Sequence, residues 1–273
     1  MVQGRGMKSF IVSVLMFSSL ALAQDPTSYL AQFDAKVYSL KTKGVKDFVV
    51  DIESSKLTKQ MNDQMIFGKV DNVTFRLFWT ANPERLAIDV LGLPEGFREI
   101  KEELKLSMIS QLENLLPLPT VQKFNGYKFS AGAKPKEFVA KDTSGIAAIP
   151  SFVVRFDDQD RMVEVEGEKP VGTLVIQPSY SKESFSDGKW VLKKQVTKVS
   201  ENGQSVTTKK DMEYGTSQGI GVLTEVTVTT EQKAENKNAK SLNLQETIEF
   251  KNYKINTGEG MKYFLGEQAK PAP

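Results

Sequence analysis

Val73, Phe75, Leu77 and Trp79 alternate with Thr74, Arg76, Phe78 and Thr80, and this one-sided alternation recurs along the chain. Successive strand side chains point to opposite faces, so each such stretch is apolar on one side and mostly polar on the other. Leu86, Ile88 and Val90 repeat the pattern against Arg85, Ala87 and Asp89. Val222, Val226 and Val228 repeat it less cleanly, and Leu242, Leu244, Ile248 and Phe250 do so near the C-terminus. Half-buried strands of this kind belong to antiparallel sheets, because a parallel sheet covered on both faces reads as continuous apolar runs. The expected class is therefore mainly β.

Two or three helices are expected beside roughly ten strands. Leu30, Phe33, Val37 and Leu40 recur at helical spacing between Pro26 and Lys41, with Asp25 as cap and Gly44 as stop. A second helix is expected from Glu95 to Leu116, with Phe97, Ile100, Leu104, Met108, Leu112 and Leu115 as its stripe and Pro117 closing it. Strands are expected at Lys46 to Ser54, Gln64 to Lys69, Asn72 to Thr80 and Arg85 to Leu91, the last two joined by a turn at Ala81-Asn82-Pro83-Glu84. Asp187-Gly188 and Asn202-Gly203 mark hairpins, and Asn236-Lys237-Asn238 a weaker turn.

Ten strands spaced about 4.8 Å apart make a sheet roughly 45 Å across, whereas a helix is only about 10 Å wide. Two helices cannot cover that face. The sheet must curl around them, leaving an apolar interior that admits a ligand, or fold on itself as a sandwich with a plain core.

Met7 and Lys8 precede an apolar stretch from Phe10 to Leu22 that ends in Ala21-Leu22-Ala23, the pattern of a signal peptide cleaved after Ala23. The expected organisation is residues 1–23 as signal peptide, 24–265 as one domain and 266–273 as a flexible tail. Cleavage leaves 250 residues and removes Arg5 and Lys8, so the 36 basic and 34 acidic residues become 34 of each. A neutral chain with interspersed signs argues against nucleic acid as a partner. Lys193-Lys194 and Lys209-Lys210 read as solvated strand edges. With no Cys and no His, thiol chemistry and the commonest general base are absent.

No catalytic or cofactor motif emerges. Glu164, Glu166 and Glu168 share a solvent face of a strand whose Val163 and Val165 point inward. Asp157, Asp158 and Asp160 approach a calcium loop, but Met162 and Val163 stand where a ligand and a glycine are needed, so a turn is expected. Neither an enzyme nor a metal site is predicted, and no cofactor is expected.

Trp79-Thr-Ala-Asn-Pro83-Glu-Arg-Leu86, followed by Ala87-Ile-Asp-Val-Leu91, resembles a hairpin of the outer-membrane lipoprotein carrier (LolA-like) family. Ile248-Glu-Phe250-Lys-Asn252-Tyr-Lys-Ile255-Asn256, with Phe264 beyond it, resembles that family's last strand. The resemblance implies a half-open, strongly curved antiparallel β-barrel around amphipathic lid or plug helices, with a cavity for acyl chains. It departs from the family where Gly92-Leu-Pro-Glu-Gly96 leads straight into a long helix. The expectation is a monomeric, periplasmic, non-catalytic carrier of lipid or lipoprotein acyl chains, with membrane-bound proteins as further partners. The expected lining is Leu30, Phe33, Val37, Phe75, Leu77, Trp79, Leu86, Ile88, Val90, Ile100, Leu104 and Met108. The alternative is a sensor or protein-interaction domain of the same fold without lipid cargo.

Overall fold

A computed structural model of the chain describes residues 25–63, 69–234 and 242–266. The expected signal peptide, residues 64–68 of one expected strand, the turn at Asn236 to Asn238 and the tail beyond Gly266 lie outside these residues. Lys69 itself is not in a strand.

The fold is mainly β: among the described residues there are five helices and twelve strands, the strands in one antiparallel sheet that is not closed into a barrel. In chain order the elements begin with α1 (Pro26–Lys36), a 3-10 turn (Leu40–Lys43), β1 (Asp47–Ser54) and α2 (Leu57–Asp63). Next come β2 (Thr74–Ala81), β3 (Glu84–Leu91), α3 (Arg98–Leu115) and α4 (Thr120–Lys123). The meander that follows is β4 (Tyr127–Ala131), β5 (Glu137–Asp142), β6 (Ser151–Phe156), β7 (Met162–Lys169), β8 (Gly172–Lys182) and β9 (Trp190–Glu201). It continues through β10 (Gln204–Ser217), β11 (Ile220–Ala234) and β12 (Leu242–Ile255) to α5 (Glu259–Phe264).

The strand order is β3-β2-β1-β12-β11-β10-β9-β8-β7-β6-β5-β4. β3 and β4 are therefore the opposite edges of the sheet, and the segment that carries α3 and α4 joins one edge to the other. The meander then returns strand by strand until β12 docks on β1.

α1 is shorter than its apolar spacing predicts. Asp25 caps it, accepting a hydrogen bond from the Ser28 amide at 2.9 Å. Its helical run ends at Lys36 because Val37 turns extended and bridges Trp190, with the Tyr38 amide donating to the Trp190 carbonyl at 2.8 Å. Leu40 keeps its apparent periodicity only because a 3-10 turn follows, stopped by Gly44 at φ 73°. α3 likewise starts at Arg98 and not at Glu95, and α2, α4 and α5 are too short to have shown a period.

Two apolar clusters fill the concave side. In one, Met108, Leu112 and Leu115 of α3 pack with Phe48, Val50, Ile52, Phe75, Leu77 and Trp79 of β1 and β2, and with residues of β10 to β12. In the other, Leu30 and Phe33 of α1 and Phe124 pack on Phe138, Val154, Phe156 and Met162 of β5 to β7.

The opposite face of β1 and β2 is covered too, which the alternation did not show. α5 lies there, and Gly260 approaches so closely that an added Cβ would stand 2.7 Å from the Trp79 carbonyl oxygen. Phe78 stacks on Tyr263 with ring centroids 4.0 Å apart, and the Tyr263 hydroxyl donates to Asp89 at 3.0 Å. The buried Asp47 carboxylate accepts from the Gly258 amide at 3.2 Å and the Gly260 amide at 3.1 Å, satisfying the start of α5. Asp47→Ala is expected to cost about 1–2 kcal/mol, the range for losing a cap. It should also speed hydrogen exchange at Gly258 and Gly260; unchanged exchange there would show that α5 is held by its rings alone.

Candidate functional site: a cavity at the seam of two cores

Between the two clusters a cavity of about 320 Å³ remains, near the lower bound of about 300 Å³ for ligand pockets. Phe33 and Asp34 of α1 wall it together with Val37 just beyond that helix, as do Pro117 and Pro119 of the α3–α4 connection and Thr120 of α4. The sheet side is Met162 and Val165 of β7, Ile176 and Tyr180 of β8, Leu192 of β9, Tyr214 of β10 and Leu223 of β11. Leu118 and Lys123, both exposed, also line it.

The geometry follows from local structure. Leu174, Ile176, Pro178 and Tyr180 occupy alternate positions of β8, so all four reach the cavity, and none of the residues between them does. α1 and α4 are tied together by Asp34, whose carboxylate accepts from the Thr120 amide at 2.9 Å and the Val121 amide at 3.3 Å. Tyr38 donates to the Gly221 carbonyl at 2.8 Å, and Tyr214 to the Leu192 carbonyl at 3.0 Å. Gly221 is required where it stands, because a Cβ there would lie 2.0 Å from the ring of Phe185, which packs between Tyr38 and Tyr214. Burial, with the charge of Asp34 adding to it, raises the pKa of Tyr180 above its ordinary value of 10.

One polar cluster fastens α1 over the cavity. Asp160, at φ 59° in the β6–β7 turn, accepts from Tyr29 at 2.6 Å and Lys36 at 3.1 Å on α1, and from Lys136 at 2.7 Å. Lys136, then Tyr29 and Lys36, hold its carboxyl well below the ordinary value of 3.8. The folded-state pKa is thus depressed. The stability it brings is present above pH 3.8 and is lost as pH falls below that value toward the folded pKa. Asp160→Asn is expected to cost about 1 kcal/mol at pH 7, low in the range for charged hydrogen bonds because water screens the site. Urea unfolding at pH 7 and pH 2 checks this: the gap between wild type and variant should shrink at the lower pH, and a constant gap would contradict it.

Of the twelve residues expected to line an acyl site, Phe33 and Val37 line this cavity. Leu30 is fully buried in the α1 cluster. Phe75, Leu77, Trp79, Ile88, Val90 and Met108 are packed inside the α3 cluster, with Ile100 and Leu104 partly buried against it. Leu86 is 41% exposed, because it stands near the start of the edge strand β3. The alternation marks a buried face in β2 and at Ile88, Val90, Ile248 and Phe250, whereas Leu86, Leu242 and Leu244 of the same rows are exposed, and α3 fills the space above β1 to β3. Ile176, Tyr180, Leu192 and Tyr214 were not singled out, although the period of two in β8 was readable.

The charged motifs are absorbed into structure. Val163 points outward and not inward, because it is the extra residue of a β-bulge where Arg155 pairs with Glu164 and Phe156 with Met162. Glu164 and Glu166 converge with Glu137 on Arg155, whose pKa is raised by Glu166 first and then the other two. Asp157 is occupied by the Gln159 and Arg161 amides and the Arg161 side chain. Among the described residues no group of three or more acidic, His or Cys side chains could hold a metal ion. The paired lysines lie on interior strands and not on edges, with Lys194 bonded to Asp211 and Lys209 to Glu231, each at 2.8 Å. Arg76 turns away from the interior toward Asp51, at 2.7 Å.

Comparison with protein-family models, curated proteins and solved structures gave no match. No family is assigned to the chain. No helix among the described residues is long and apolar enough to cross a membrane.

Proposed function

We propose that this chain is an exported, non-catalytic binding protein that carries the acyl chain of a lipid or lipoprotein in the cavity between α1, the α3–α4 connection and the sheet. In this reading the sheet is a half-open barrel, α1 and α3–α4 are its lid and plug, and the signal peptide delivers it to the periplasm. The observation that supports it is the cavity itself: a mostly apolar space of about 320 Å³ between the two clusters. Each methylene buried there contributes about 0.8 kcal/mol, so a medium chain could gain on the order of 10 kcal/mol before the costs of ordering it.

The second reading, a partner-binding domain without cargo, draws on a different observation. Most of the apolar surface anticipated as lining is solid core. Native mass spectrometry of protein purified without detergent separates the two. A bound mass in the lipid range, released on activation, is the expected result; protein that stays empty even after incubation with phospholipid would overturn the carrier reading.

A further inference from the structure

Three tyrosines line the cavity, and they differ in one respect. The hydroxyls of Tyr38 and Tyr214 are spent on the carbonyls of Gly221 and Leu192. The Tyr180 hydroxyl has no hydrogen-bond partner among the described residues. Its ring is held edge-on to Phe33 of α1 with centroids 5.9 Å apart, so its position in the wall is set by packing. Its oxygen is not sealed from solvent, so water satisfies this donor when no ligand is bound, and a ligand acceptor would take that water's place.

The surrounding charge restricts which atom that is. Asp34 lines the same cavity, close enough to contribute to the raised pKa of Tyr180, and its carboxylate is already engaged by two backbone amides. A second carboxylate beside it would meet like-charge repulsion inside a poorly solvated space. The opposing charge in the lining is Lys123, which is exposed, so water screens what it could offer an anion.

We propose that the site selects an apolar chain bearing an uncharged hydrogen-bond acceptor, such as an ester carbonyl, over the corresponding free carboxylate, with the Tyr180 hydroxyl as donor. This rests on the carrier reading and specifies the cargo's polar end. A phenol is neutral, and so a donor, throughout the physiological pH range, and burial moves Tyr180 further from titrating.

Methyl octanoate, octanoate and octane share a chain and differ in acceptor and charge, so their affinities for the purified protein at pH 7.5 test the proposal. Wild type is expected to bind methyl octanoate at least fivefold more tightly than octanoate. Tyr180→Phe is expected to lose about fivefold to tenfold for methyl octanoate relative to octane, the value of one hydrogen bond. Octanoate bound as tightly as the ester, or an ester-to-octane ratio unchanged in Tyr180→Phe, would overturn the assignment while leaving a carrier in place. Failure of wild type to bind any of the three would remove the carrier reading as well. If the variant does not fold, the wild-type ester-to-octanoate ratio still decides.

Discussion

Trp79→Ala should lower the unfolding free energy by about 3–5 kcal/mol, the usual cost of removing a buried aromatic side chain. Trp79 is only 1% exposed and stacks on Phe48 with centroids 5.2 Å apart, while its indole N–H reaches Glu84 at 3.4 Å. Its neighbours β1 and β3, with α3 packed in the same cluster, are fixed by strand pairing, so they cannot collapse far into the space it would leave. Domains of this kind have about 5–15 kcal/mol in total, so the urea midpoint should fall steeply. Leu86→Ala, in the same sequence stripe and opposite Trp79 in the ladder, should cost less than about 1 kcal/mol because its side chain is already partly in water. Equal, small effects at both positions would mean that β2 faces an open interior and that the α3 cluster is not a core.

Ile176→Trp should abolish most binding while leaving stability nearly unchanged. Ile176 is partly buried, packs against the α1 cluster and lines the cavity from the middle of β8, so a larger ring there takes up cavity space. Displacing about three methylenes of a bound chain would remove about 2–3 kcal/mol, roughly a 30-fold to 150-fold loss of affinity. Calorimetric titration with methyl octanoate reads the first effect and thermal unfolding the second. Unchanged affinity in a folded variant would place the ligand elsewhere.

What could be read from the sequence were the properties carried by neighbouring residues. Asn202-Gly203 forms the two-residue hairpin it announces, with φ values of 49° and 72°. Gln218-Gly219 makes the same kind of turn at 52° and 76° but escaped notice, because glutamine is not a usual marker of positive φ. Val73 to Trp79 and Ile88 to Val90 do bury one face. The break after Lys36 was not legible, because it depends on Val37 meeting Trp190, a residue more than 150 positions away.

The cavity was hidden for the same reason. It lies at the seam between two clusters whose positions follow from β12 docking beside β1 and from β4 standing at the far edge. Apolar alternation marks which residues turn inward, yet it cannot say which inward residues meet a helix and which meet empty space. Phe33 and Val37, marked by helical spacing, do line the cavity, whereas nothing in neighbouring residues sets Ile176 and Leu192 apart from core.

A crystal structure of the protein soaked with a methyl ester brominated at the end of its chain would test the central claim most directly, because anomalous scattering locates the bromine without interpretation of the rest. The account predicts a single bromine peak between Phe33 of α1 and Ile176 of β8, with α1 still anchored through Asp160. A peak on the outer face, or an empty cavity beside protein that binds the ester in solution, would contradict it.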